Sequence, residues 1–146
     1  MVINEAFKSL EPGAYLELQD ASFPCQYIGE PPKESAIYRW NELVVAGSAK
    51  LGRSWTNVQH YKRWMEEIGF EDVVEKSFFW PTSQWAKGKY FKDIAMYFQE
   101  NTLIGLEALS LKVIGVLGWS VEEIQALLVD VRNDVRNTSI YAFLPM

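Results

Sequence analysis

The stretch Lys89–Arg136, KYFKDIAMYFQENTLIGLEALSLKVIGVLGWSVEEIQALLVDVRNDVR, decides the architecture, because it reads as two helices with one break. From Lys89 to about Leu117 the pattern is helical, with Gly105 and Gly115 as the points where a bend is expected. Ser120 with Glu123 forms a capping box, which starts a second helix over 121–136. Beyond it, residues 140–144 alternate weakly and end as a short strand.

Working back toward the N-terminus, Ser35 caps a helix to about Lys50 that carries Ile37, Trp40, Val44 and Leu51 near one face, and Gly52 ends it. Asn57 caps the next helix, NVQHYKRWMEEIG, in which Val58, Tyr61, Met65 and Ile68 share a face and Gly69 stands at the C′ position. Residues 70–79 read as a strand ended by Trp80-Pro81. Residues 3–10 form a short helix stopped at Glu11-Pro12-Gly13. Residues 14–19, AYLELQ, read as the first strand, and the prolines and glycine of 21–34 mark a loop. The order α-β-α-α-β-α-α-β gives an α/β or α+β chain of about five helices and a small three-stranded mixed sheet, in a single domain over 1–146.

Composition narrows the function. Hydrophobic residues make up 49% of the 146 residues and charged residues 23%, the balance of a globular domain able to build a core. Aromatics are abundant, with 6 Trp, 7 Tyr and 8 Phe. The net charge of −5 and the lack of a basic block argue against a nucleic-acid partner. One cysteine, Cys25, and one histidine, His60, cannot build a Cys/His zinc site, and a lone cysteine suits a reducing, cytoplasmic compartment. Glu5 interrupts any N-terminal apolar stretch, so no secretion signal is evident. The apolar stretch 103–119 carries Glu107 and Lys112 and is too short for a membrane span.

The run EAFKSLEPGAYLELQDASFP (5–24) resembles the segment before and through the fifth strand of class I S-adenosylmethionine-dependent methyltransferases. Leu10-Glu11-Pro12-Gly13-Ala14 stands where that family has a Leu-x-Pro-Gly-Gly turn. WMEEIGFEDVVEKSFFWP (64–81) is similar to the family's next helix, glycine stop and sixth strand. GLEALSLKVIGVLGWSVEEIQALLVDVRNDVRNTSIYAFLP (105–145) resembles the closing helices and seventh strand of the LaeA-like methyltransferases of fungal secondary metabolism. The resemblance covers essentially the whole chain, and it implies a truncated class I methyltransferase, the C-terminal half of a Rossmann-like fold. The family holds its cofactor with its first half, through a glycine-rich loop and an acidic ribose partner. Glycine serves there because a side chain would block close backbone approach. This sequence has no GxGxG and offers no positions for those residues, so no bound cofactor and no autonomous methyl transfer are expected.

In the family the half resembled here covers the substrate. The resemblance therefore nominates His60, Tyr38, Gln19 and Asp20 as catalytic, and Trp40, Trp55, Trp64, Phe79 and Trp80 as substrate-binding. Aromatics at helix or strand spacing, such as Trp40, Trp64, Phe78 and Phe79, suit a core as well as a pocket. His60 has no Cys, Ser or carboxylate partner at motif spacing. Neither metal nor redox chemistry is indicated. The expectation is a cofactor-independent cyclase or pericyclase, of Diels–Alder or isomerase type, acting on an apolar polyketide or terpenoid. The alternative is a non-catalytic methyltransferase-like partner or regulatory subunit. A bare edge on residues 14–19 and helix faces without partners further imply a homodimer.

Overall fold

The computed structural model describes residues 2–146. Five α-helices, α1 (Val2–Ser9), α2 (Ala36–Lys50), α3 (Tyr61–Ile68), α4 (Lys89–Gly115) and α5 (Val121–Arg136), accompany three short strands, β1 (Gln26–Tyr27), β2 (Phe79–Pro81) and β3 (Ala142–Pro145). One 3₁₀ turn, Asn57–His60, leads directly into α3. The helix starts follow local chemistry. Ser35 Oγ accepts the Tyr38 N–H at the head of α2. At the head of α5, Ser120 Oγ accepts the Glu123 N–H at 3.2 Å while Glu123 Oε2 accepts the Ser120 N–H at 2.8 Å. These two bonds satisfy donors that the first helical turn leaves without a partner. Gly69 closes α3 at φ 117°, a left-handed conformation that a β-carbon would disfavour. Helix α4 passes through Gly105 as one continuous element and ends at Gly115.

The core lies where α2, α4 and α5 meet. Ile37, Val44, Leu106, Ile114, Leu128 and Val131 are all but sealed from solvent. Each such side chain contributes about 1.5–3 kcal/mol on burial. Gly47 lets α2 and α4 touch backbone to backbone: a methyl group there would overlap the Val113 carbonyl oxygen and lie 2.8 Å from its carbon. Two polar ties lock the same layer. The Trp40 indole N–H donates to Ser110 Oγ at 2.8 Å, and Asp134 Oδ2 on α5 accepts the Ile37 N–H in the first turn of α2 at 3.0 Å. A carboxylate there also meets the positive end of the helix dipole.

The sheet has the order β1-β3-β2 and is wholly antiparallel, where the sequence suggested a mixed one. Two strand expectations need correction. Residues 14–19 form no strand, and of 70–79 only Phe79 joins one. The reason is pairing. The register Gln26↔Phe143 and Phe79↔Pro145 sets the whole of β3 against 26–27 and 79–81. Beyond that, Phe78 with Met146 and Ser22 with Pro145 extend the bonding at one end, and Ile28 with Tyr141 and Thr82 with Ala142 at the other. Among the described residues, 15–20 and 71–77 make no backbone–backbone hydrogen bond, and Tyr15 is 94% exposed. Strand-like composition without a neighbour makes no ladder.

Candidate functional site

An open cleft of about 290 Å³ lies between the loop 24–27 and α2. Pro24, Cys25 and Tyr27 form one wall, and Tyr38, Asn41 and Val45 the other. Asn41 makes the cleft. It is buried on α2, donates from Nδ2 to the Ile37 carbonyl at 2.8 Å and accepts the Cys25 N–H through Oδ1 at 3.0 Å. Its side chain thus latches the loop to the helix with both amide functions used.

Burial pushes the Cys25 thiol up to about 12, against a smaller opposing contribution from Asn41. Cys25 is therefore a neutral thiol at physiological pH and a poor nucleophile. Burial likewise raises the Tyr27 hydroxyl, helped by neighbouring Cys25, Tyr38 and Asp134, against a smaller opposing contribution from the nearby Asn41 amide, which makes its formed hydrogen bonds to Ile37 and Cys25 instead. The Tyr27 hydroxyl oxygen is sealed from solvent and has no hydrogen-bond partner. Its ring lies 6.1 Å from that of Tyr38. The cleft thus presents mostly apolar walls with the Glu42 carboxylate among them, and the protonated Tyr27 hydroxyl lies sealed behind one wall.

The residues nominated from sequence fall into separate groups. Tyr38 alone among them lines the cleft. His60 and Trp64 stack with centroids 5.5 Å apart, and Trp64 also meets Tyr61 at 6.0 Å. The Tyr61 hydroxyl donates to Asp20 Oδ2 at 3.0 Å, so Asp20 joins this cluster through a residue that the sequence reading passed over. Burial, followed by the hydrogen bond to Asp20 and its charge, raises the Tyr61 pKa. Gln19 is exposed and donates to Glu17 at 2.7 Å. Trp40 is a core residue with 5% of its surface exposed. Trp55 packs on Phe23, and Phe23 in turn on Trp40. Phe79 sets its edge against Phe143, and Trp80 sets its edge against Phe98. Cys25, Tyr27 and Asn41 were not singled out for this site. The available signal was Asn41 itself, an amide on the apolar face shared by Ile37, Trp40 and Val44. Among the described residues, no group of three or more His, Cys, Asp or Glu could hold a metal ion, and no helix is long and apolar enough to cross a membrane.

No protein-family profile matches the chain, and no solved structure matches it. Sequence relatives do. The chain is 28% identical to tdiE of Emericella nidulans, named a probable methyltransferase, over 99% of this chain and 46% of the relative. It is 28% identical to the methyltransferase pytC of Aspergillus terreus over 97% of this chain and 44% of the relative. The secondary metabolism regulator LAE1 of Gibberella fujikuroi is 31% identical over 86% of this chain and 41% of its own length. Five helices on a small sheet, with relatives of these names, make the chain methyltransferase-like. Within that class it is related to the LaeA-like proteins of fungal secondary metabolism. The chain spans about half the length of the curated relatives it matches.

Proposed function

We propose that residues 1–146 act as the substrate side of a methyltransferase-type unit of secondary metabolism. They hold an apolar small molecule in the Tyr27–Tyr38 cleft, and the cofactor-binding surface comes from outside these residues. The observation that carries this reading is the cleft itself: mostly apolar walls, with an unpartnered hydroxyl sealed just behind one of them. Its volume stands at the lower edge of small-molecule sites, roughly 300–1,000 Å³. That size suits a site walled on one side and completed by a second surface. Supporting it, residues 1–146 contain no GxGxG loop to hold the cofactor, and the relatives include named methyltransferases. Tyr38 keeps its proposed role at the substrate. Gln19, Asp20, His60 and Trp64 are proposed for the covering face outside the cleft wall. A twofold dimer belongs to the same reading: Tyr90, Tyr97 and Ile104 are exposed along α4 at seven-residue spacing, an apolar stripe that a second helix could cover.

The test is methyl transfer from labelled S-adenosylmethionine to a panel of apolar polyketides and terpenoids. The chain is assayed alone and mixed with the cofactor-binding half of tdiE. Transfer only in the mixture is expected. Transfer by the chain alone, or no ligand binding in the cleft with or without the added half, would overturn the reading.

A second reading is the cofactor-independent cyclase or pericyclase, favoured by the Tyr27 hydroxyl. Its raised pKa keeps it protonated, so it could donate to a substrate carbonyl that displaces the wall over it, as charge develops there. Apolar walls that hold one reactive conformer could contribute up to about 7–11 kcal/mol. Conversion of a panel member to an isomer of equal mass without S-adenosylmethionine would favour this reading over the first.

A further inference from the structure

We infer that the Tyr27–Tyr38 cleft selects ligands whose apolar skeleton carries a protonated amine, and that Glu42 is the residue that reads the amine. The inference rests on the cleft being the ligand site, and it adds the charge that the ligand must bring. Among the side chains lining the cleft, Glu42 alone is charged, whereas Pro24, Val45 and Ala46 are apolar. The polar groups beside it are committed or neutral. Asn41 spends both amide functions on the backbone, and Cys25 is a neutral thiol. Among the described residues, Glu42 has no ion-pair partner. Arg39, three residues before it on α2, is near enough on the helix to pair with it. Its guanidinium sits over the Trp119 ring instead, 5.1 Å from the centroid. The carboxylate is left to a cation from outside.

Helix spacing sets the parts of an amine site side by side. Tyr38 and Glu42 are four residues apart on α2 and so are neighbours on one face, which Val45 and Ala46 continue. An ammonium group is attracted both to a carboxylate and to the negative face of an aromatic ring. One held by Glu42 has the Tyr38 ring within reach, so the two attractions act together. The skeleton attached to it would cover Pro24, Val45 and Ala46, where burial of apolar surface is favourable. A carboxylate or phosphate ligand would meet Glu42 with no counter-charge in the lining, which is discrimination by repulsion. A protonated nitrogen has no lone pair to attack a methyl group. The amine is therefore a handle, and in a methyl transfer the accepting atom lies elsewhere on the ligand.

The probes are phenylbutylamine, phenylbutanol and phenylbutyrate, one skeleton with three end groups. Each is titrated into the isotope-labelled protein and read by amide chemical shifts. Shifts at 25–27 and 38–46 are expected for the amine and the alcohol. The amine should bind about five-fold more tightly, as one exposed ion pair and one exposed cation–ring contact allow, and the carboxylate most weakly. Glu42→Gln should bring the amine down to the affinity of the alcohol and leave the alcohol unchanged. Because Glu42 is exposed, thermal unfolding should not move. Raised salt should narrow the same gap in the parent protein. An amine that binds no more tightly than the alcohol would overturn the inference and leave the cleft as an apolar site. So would a Glu42→Gln variant that weakens both ligands alike or neither. If none of the three probes shifts 25–27 and 38–46, the cleft reading itself falls, and this inference with it.

Discussion

Replacing Tyr27 by Phe should stabilise the protein, against the usual direction of a substitution beside a core. The Tyr27 hydroxyl is out of reach of solvent and has no hydrogen-bond partner. A buried polar group left in that state costs about 1–3 kcal/mol, because it has given up its bonds to water without replacement. Phenylalanine removes the oxygen and keeps the ring that packs on Tyr38 at 6.1 Å. The expected gain is therefore about 1–3 kcal/mol. For a domain of this size that corresponds to roughly 2–12 °C in Tm. Paired thermal and urea unfolding measure it, with Tyr97→Phe on the exposed face of α4 as a control that should not move. The same hydroxyl is the donor proposed for a ligand that displaces the wall covering it. An apolar ligand with a carbonyl should therefore bind Tyr27→Phe more weakly, by about the 0.5–1.5 kcal/mol of one neutral hydrogen bond. Stability and affinity should thus change in opposite senses. A variant no more stable than the parent would refute the reasoning, because it would mean that the hydroxyl is already satisfied in solution.

Gly47→Ala gains about 1 kcal/mol of helix propensity, yet its methyl group would collide with the Val113 backbone of α4. Forcing two packed helices apart costs typically 1–3 kcal/mol or more, so a net loss in urea unfolding is expected, and a neutral result would deny the close crossing. Ser110→Ala leaves the buried Trp40 indole N–H without its acceptor and should cost about 1–3 kcal/mol, read by chemical denaturation. The Cys25 thiol titrates near 12 in the folded protein against an ordinary 9.0. Between those values the folded state keeps a proton that the unfolded chain releases, so its stability contribution is intact below pH 9 and is lost as pH rises toward 12. Cys25→Ala should flatten that alkaline fall in a pH series of unfolding curves, and an unchanged slope would show the thiol to be exposed.

What the sequence made legible is what nearest neighbours decide. The starts of α2 and α5 follow from Ser35 and from Ser120 with Glu123, because a cap is completed within three residues. Gly69 ends α3 for an equally local reason. The strands were harder, because a strand is defined by a partner distant in sequence. AYLELQ has the composition of a strand, but β3 pairs with 26–27 instead. Residues 26–27 lie inside a stretch whose Pro24, Gly29, Pro31 and Pro32 read as a loop.

The site divides along the same line. Helical spacing can place Trp40 on a buried face, but only the packing shows that its indole is spent on Ser110 in the core and is not available to a ligand. Tyr38 was nominated through family resemblance, and it does reach a cleft. The partner that gives that cleft its chemistry, Tyr27, sits eleven residues away across a proline-rich loop. Asn41 brings the two together by spending both ends of its amide on the backbone, one on its own helix and one on the loop. An amide inside an apolar stripe has few inexpensive ways to be buried, and bridging to a second segment is one of them. An isolated Asn at such a position marks a place where a loop is latched to a helix. The wall so fixed is where a ligand cleft can form.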